Sequence, residues 1–307
     1  MRAITGITAE SERFNRDRLG SNERRTKGVR LLTTIAVIGA TGTAGSRVVA
    51  RLKARDVAVV EVSRAHGVDL LDGEDLYRAL KGVDVAIDVS NPLPDDRQPT
   101  VTRALATASR NVMGVCSARG VQRLVVSTMA CIDDPVFDGT PYYEAKRAAK
   151  EILLDGPVPT TVVKSTQWFE IATGPTGPVT RDGDEVIVED WLIQPIAADT
   201  VADVLVETAL GQTPTPRTIT GPDAIRLPEL TSKVLVRQGD SRSVRVVQPP
   251  LPALAAGALL ASDQAIILGP DVQSWLGSLP PVSTDGHAED GSESLGASVH
   301  RQDFSPI

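Results

Sequence analysis

Residues 35–52 read Ile35-Ala36-Val37-Ile38, then Gly39-Ala40-Thr41-Gly42-Thr43-Ala44-Gly45, then Ser46-Arg47-Val48-Val49-Ala50-Arg51-Leu52. A short apolar run, a glycine-rich turn and the start of an amphipathic helix follow one another without a gap. This order predicts a buried strand that delivers the turn to the carboxyl edge of a parallel sheet. Glycines there let the backbone approach a pyrophosphate closely, and a helix N-terminus offers unpaired N–H groups and a favourable dipole. The spacing is G-x-x-G-x-x-G, with Gly39, Thr41, Gly42, Thr43, Ala44 and Gly45 as candidate phosphate-binding residues. A glycine pattern alone is weak; the strand before it and the helix after it give it weight.

Composition narrows the function classes. The 307 residues suit one large or two small domains. A net charge of −7 and 3% aromatic residues argue against nucleic-acid binding, which needs basic surface and stacking rings. Two cysteines, Cys116 and Cys131, without a C-x-x-C spacing read as buried, reduced thiols of a cytoplasmic protein. Only three histidines are present, two of them (His287 and His300) in a polar C-terminal stretch, so neither a metal site nor a Ser-His-Asp triad is expected. No signal peptide is expected at the N-terminus. The most apolar run, Leu251 to Ala261, falls short of the about 20 residues that span a bilayer, and reads as a buried helix with proline near its first turn.

Four segments are expected: a disordered or extra extension over 1–30, a Rossmann core over 31–165, a smaller C-terminal substrate portion over 166–280 interleaved with the core, and a disordered tail over 281–307. Strands are expected at Ile35–Ile38, Val57–Val62, Gly67–Leu70 (a short third strand), Val83–Val89, Arg123–Ser127 and Thr160–Val163. Helices are expected after Gly42 and over Gly73–Leu80, Thr100–Arg119, Pro141–Leu154 and Thr200–Leu210. The alternation implies a doubly wound parallel sheet with right-handed crossovers.

Along this frame, Ser63-Arg64 follows the second strand, where a guanidinium and a small hydroxyl suit the 2′-phosphate of NADP better than the ribose diol of NAD. Glu61 sits close by in uncertain register. Asp69 and Leu70 are placed to meet the adenine edge, whereas Asp72 suits a helix cap. Val89, Ser90 and Asn91 leave the next strand, small enough for a ribose and nicotinamide to lie on backbone, and Pro92 stops the strand. Thr140-Pro141 opens a helix as cap and first residue. Tyr142 and Lys146 are then i and i+4 on one face, the spacing at which an ammonium can lower a phenol's pKa, hold a ribose and let the phenol act as an acid. Tyr143 lies off that face.

Gly39 to Gly45, Leu124-Val-Val-Ser-Thr128, Pro141-Tyr-Tyr-Glu-Ala-Lys146 and Ser165-Thr-Gln-Trp-Phe-Glu170 occur in that order. Together they resemble an atypical short-chain dehydrogenase/reductase of the NmrA-like, NAD(P)H-binding kind, over roughly Leu31 to Leu279. Gln194 to Ala202 resembles a further family segment near the substrate side. The resemblance implies a Rossmann domain with a small C-terminal portion. By that resemblance, some members of the family reduce quinones or other enones and carbonyls, and others bind NAD(P) without turnover and act as regulators. It also places Ser127 with the cofactor-binding residues. Where catalytic members carry a Ser or Thr near the strand end, this chain has Met129, with Ser127 and Thr128 just before it; Lys164 stands in place of a usual Arg. The reading is an oxidoreductase that prefers NADP(H) over NAD(H) and transfers hydride to a small carbonyl or quinone-type molecule, as a monomer or homodimer, with no nucleic acid, membrane or metal; the alternative is a non-catalytic NADP(H)-binding redox sensor or regulator of the NmrA type. Tyr142 is its acid and Lys146 its partner, and Trp168 and Phe169 line the substrate pocket.

Overall fold

Strand β1 (Thr34–Ile38) is buried on both faces, and its alternating side chains serve two separate cores. Such a continuous apolar strand belongs in the middle of a parallel sheet. The structure, a computed structural model, describes residues 33–280 apart from 93, 95–99, 175–176 and 213–216. The expected extension and tail lie outside these residues. Helix α1 (Thr43–Lys53) follows β1, then β2 (Ala58–Val62), α2 (Gly73–Ala79), β3 (Val85–Asp88) and α3 (Val101–Arg119). Next come β4 (Arg123–Met129), α4 (Pro141–Leu154), β5 (Thr160–Ser165), β6 (Val179–Asp182), β7 (Glu185–Glu189) and β8 (Leu192–Ile193). The described chain continues through α5 (Ala198–Ala209), β9 (Arg217–Thr220), β10 (Ile225–Arg226), α6 (Leu227–Arg237), β11 (Ser243–Val247), α7 (Pro252–Ala255), β12 (Ile266–Ile267) and α8 (Val272–Ser278).

Seven strands form one parallel sheet in the order β12-β9-β5-β4-β3-β1-β2. Ile35 and Val37 pack with α1 and α5 on one face; Ala36 and Ile38 pack with α2, α3 and α4 on the other. The protein thus has a Rossmann-like doubly wound α/β fold. Strand order reverses between β2 and β3 around β1, so a crevice opens at the carboxyl ends of β1 and β3, where ligands bind in open α/β sheets.

The expected third strand over Gly67–Leu70 does not form. Gly67 is left-handed at φ 75°, and Asp69 accepts the Leu71 N–H at 2.9 Å. The four residues are consumed by turns, β2 becomes the sheet edge, and the order starts at β2. Leu251 to Ala261 is likewise not a continuous helix. Only Pro252–Ala255 is helical, because Gly257 turns the chain at φ 101°; Leu254 and Leu259 alone are fully buried there.

A third core gathers most of the large aromatic side chains. Tyr143 stacks on Phe137 at 4.0 Å and meets Tyr142 edge-on at 5.9 Å, while Phe169 stacks on Trp275 at 4.6 Å. Trp191 and Met129 are buried among them. The hairpin β6–β7, extended by β11, and helix α6 enclose this core.

Candidate functional site

Each glycine of the turn has a different task. Gly39 takes φ 86°, and a Cβ on it would meet the Ser90 backbone at 3.0 Å. A Cβ on Gly45 would stand 2.0 Å from the Gly39 carbonyl oxygen, so this glycine lets α1 pack on the turn. Gly42 is the N-cap of α1 and gives the helix no side-chain cap. The turn is pinned by the Gly39 and Ala40 N–H groups, which donate to the Val62 carbonyl at 2.9 and 3.1 Å.

A groove of about 350 Å³ lies over this turn. Gly39, Thr41, Gly42, Thr43 and Ala44 line its base, and Ser63, Arg64, Asp69 and Leu70 line one end. Val89, Ser90 and Asn91 line the other. Gly45, buried against the Gly39 carbonyl, does not line it. Residues not expected at the dinucleotide site also reach it: Val62, Val68, Leu71, Pro92, Pro94 and Trp168. Trp168, expected at a substrate pocket, faces this groove, and its Nε1–H donates to Ser165 Oγ at 3.0 Å. Phe169, expected beside it, is fully buried in the aromatic core.

Glu61 does not line the groove. It pairs with Lys53 at 2.5 Å and approaches His66 Nε2 at 3.6 Å, while His66 Nδ1 bonds to Ser63 Oγ at 2.7 Å. Arg64 is exposed and makes no ion pair with another described residue. Asp72 caps α2 by accepting the Glu74 N–H.

Thr140 is the N-cap of α4, but its side chain does not close the helix end. Glu144 reaches back instead and accepts the Gly139 N–H at 2.8 Å. Lys146 Nζ lies 5.9 Å from the centroid of the Tyr142 ring. Tyr142 is 4% exposed and does not line the groove. Its hydroxyl and Asn91 Oδ1 are both buried without a well-formed hydrogen bond to a described residue. Burial pushes the phenol well above its usual range, and the neighbouring Asn91 amide opposes that shift.

Lys146 and Ser127 line a second, smaller cavity of about 30 Å³, together with Asp88, Ser90 and Thr128. Burial lowers Lys146 to about 8, against the pull of the Asp88 carboxylate. Asp88 itself is raised by burial, which its bonds from Ser90 and the charge of Lys146 oppose. The unfolded chain holds this lysine proton up to its usual pKa near 10.5, whereas the fold releases it near 8. In that window the unfolded state binds more protons, so stability rises with pH. The parent protein is therefore expected to gain stability relative to Lys146→Met between pH 8 and 10.5, by on the order of 3 kcal/mol. Thermal melts of both proteins across this range check it; a constant gap would contradict it.

These residues fit a dinucleotide. The uncapped start of α1 suits a pyrophosphate, a Cβ on Gly42 would meet, among the described residues, just the Gly39 carbonyl oxygen at 3.3 Å, and Asn91, on the lining of the groove, holds a buried acceptor with no partner among the described residues.

A family model described as NAD(P)H-binding matches residues 39–211. Human sterol-4-alpha-carboxylate 3-dehydrogenase, decarboxylating, is 28% identical over 148 residues, covering 45% of this chain and 37% of that protein. The chain spans about a third of the length of the curated relatives it matches. Among solved structures, a nucleoside-diphosphate-sugar epimerase from Staphylococcus aureus superposes with a TM-score of 0.54 at 15% identity, over 80% of this chain and 99% of that one. A dTDP-4-dehydrorhamnose reductase from Clostridium acetobutylicum gives 0.55 at 15% identity, over 72% and 86%. At these identities the structures share the fold. No helix among the described residues is long and apolar enough to cross a membrane.

Proposed function

The chain belongs to the NAD(P)H-binding family, and we propose that it is a cytoplasmic reductase that uses NADPH to reduce a small carbonyl or quinone-type molecule. The observation that carries this reading is the groove itself: an uncapped helix start at its base, the Arg64 guanidinium, exposed and without an ion pair among the described residues, at one end, and Asn91 leading toward Tyr142 at the other. Bound in the groove, the dinucleotide supplies a hydride. The backbone of Gly39 to Ala44 would hold the pyrophosphate, and Ser63 with Arg64 the 2′-phosphate. Asp69 and Leu70 would meet the adenine, and Val89, Ser90, Asn91 and Ser127 would border the ribose and nicotinamide. Lys146 would hold the nicotinamide ribose and stabilise the phenolate of Tyr142. Tyr142 would give its hydroxyl proton to the oxygen of the reduced substrate and regain one from solvent. Residues 31–165 would carry the cofactor and 166–280 the substrate, in a monomer or homodimer.

Calorimetry with NADPH and NADH, followed by NADPH oxidation across a panel of quinones and aldehydes, tests the reading. Tighter binding of NADPH and turnover with a member of the panel are expected; equal affinity for the two cofactors would overturn the NADPH preference.

A second reading is favoured by Met129 and Tyr142. Met129 is 3% exposed and stands where catalytic relatives are expected to place a hydroxyl, and the Tyr142 hydroxyl is closed off in the same core. An NmrA-like regulator that binds NADP(H) without turnover needs neither group to be open. Tight NADPH binding with no oxidation by any acceptor would select it.

A further inference from the structure

Asp88 and Lys146 are two oppositely charged side chains, 7% and 6% exposed, on the lining of one cavity of about 30 Å³ between β3, β4, α3 and α4. Buried charges are rarely left without partners, because removal from water is costly. Lys146 nevertheless makes no ion pair or hydrogen bond with another described residue. Asp88 accepts the Ser90 N–H at 2.9 Å through one oxygen. The cavity between them is large enough for about one water molecule.

The other groups facing the pair do not replace either charge. From α3, Cys116 is pushed up to about 12 by burial and stays neutral. From α4, Tyr142 is held neutral by burial, and Lys150 pairs with Asp133. From β4 come Ser127 and Thr128, which carry no charge. Asp88 is thus the acidic group on this cavity, and Ser90 lines both it and the dinucleotide groove.

We propose that Asp88 is the counter-charge that keeps Lys146 protonated and fixed at the back of the dinucleotide groove, as a positioning residue for that site. The link to the dinucleotide rests on the cofactor reading above; the coupling of the two side chains does not. Without the carboxylate, burial alone acts on Lys146 and favours its neutral form. With it, the ammonium persists to higher pH and remains available to ribose hydroxyls.

The test titrates Lys146 directly. In protein carrying carbon-13 lysine, the Lys146 signal is assigned by its loss in Lys146→Arg and followed with pH. Asp88→Asn keeps the shape and the acceptor for the Ser90 N–H and removes the charge. Its midpoint for Lys146 is expected about one pH unit below the parent's. Asp88→Glu, which restores the carboxylate, is expected to return it toward the parent value. Asp88→Ser is measured alongside, so that a folding defect in one variant does not decide the outcome. An unchanged or higher midpoint in Asp88→Asn would overturn the coupling. NADPH affinity, followed by calorimetry against pH, should fall above about pH 8 in the parent and about one unit lower in Asp88→Asn. An affinity that ignores pH in the parent would overturn the role toward the dinucleotide. A parent protein that binds no NADPH would overturn the cofactor reading and that role with it, while the lysine midpoint still decides the coupling.

Discussion

Replacing Tyr142 with phenylalanine is expected to lower turnover by roughly 10²–10⁴ while leaving NADPH affinity nearly unchanged. The ring sits in an aromatic core, edge-on to Tyr143 at 5.9 Å, and phenylalanine fills the same space. What is lost is a hydroxyl that bonds to no described residue in the free protein, so its removal costs the fold little. A proton donor has to reach the substrate oxygen, however, and burial keeps this phenol in its protonated form in the free protein, so the transfer depends on Lys146 stabilising the phenolate. The measurement is steady-state NADPH oxidation with any acceptor found in the panel, beside calorimetry of the same variant. Retention of most of the rate would mean hydride transfer with protonation by water, the course open to a quinone, and would remove Tyr142 from the chemistry. A large loss of NADPH affinity would mean that the hydroxyl holds the cofactor instead.

Arg64→Ala is expected to weaken NADPH binding by roughly 10–100-fold and to leave NADH binding within a few-fold of the parent. The guanidinium is exposed at the end of the groove and has no acidic partner among the described residues to satisfy it. A charge-assisted contact to phosphate contributes about 1.5–3 kcal/mol, and NADH lacks the phosphate that would receive it. Exposure also makes the contact sensitive to salt, so the parent's preference for NADPH should shrink as ionic strength rises. Glu61, the residue that would favour the NAD ribose at this strand end, is drawn into its pair with Lys53 and does not compete. Equal losses for both cofactors would place Arg64 in general support of the groove rather than at the 2′ position.

Much of this protein can be read from local pattern. The run Ile35–Ile38 with Gly39, Gly42 and Gly45 determines a buried strand, a turn and a helix, because backbone conformation and close approach there admit few other residues. Pro141 fixes where α4 starts, and the i, i+4 spacing then places Tyr142 and Lys146 on one face of it. These features depend on neighbours within a turn or two of chain. The remainder depends on parts that are distant in sequence. The segment Gly67–Leu70 has strand-like residues, but an aspartate turn and a left-handed glycine leave it nothing to pair with, and β2 ends the sheet. Trp168 and Phe169 are adjacent and both aromatic, yet one lines the groove and the other fills the aromatic core. Asp88 reads as an ordinary residue near a strand end until the fold brings Lys146, 58 residues later, to the same cavity. Short-range sterics and hydrogen bonding decide strands, turns and helix ends. The burial of a charge, and the choice of what faces it, arises only when β3, β4, α3 and α4 close around one space, because desolvation is a property of the packed whole.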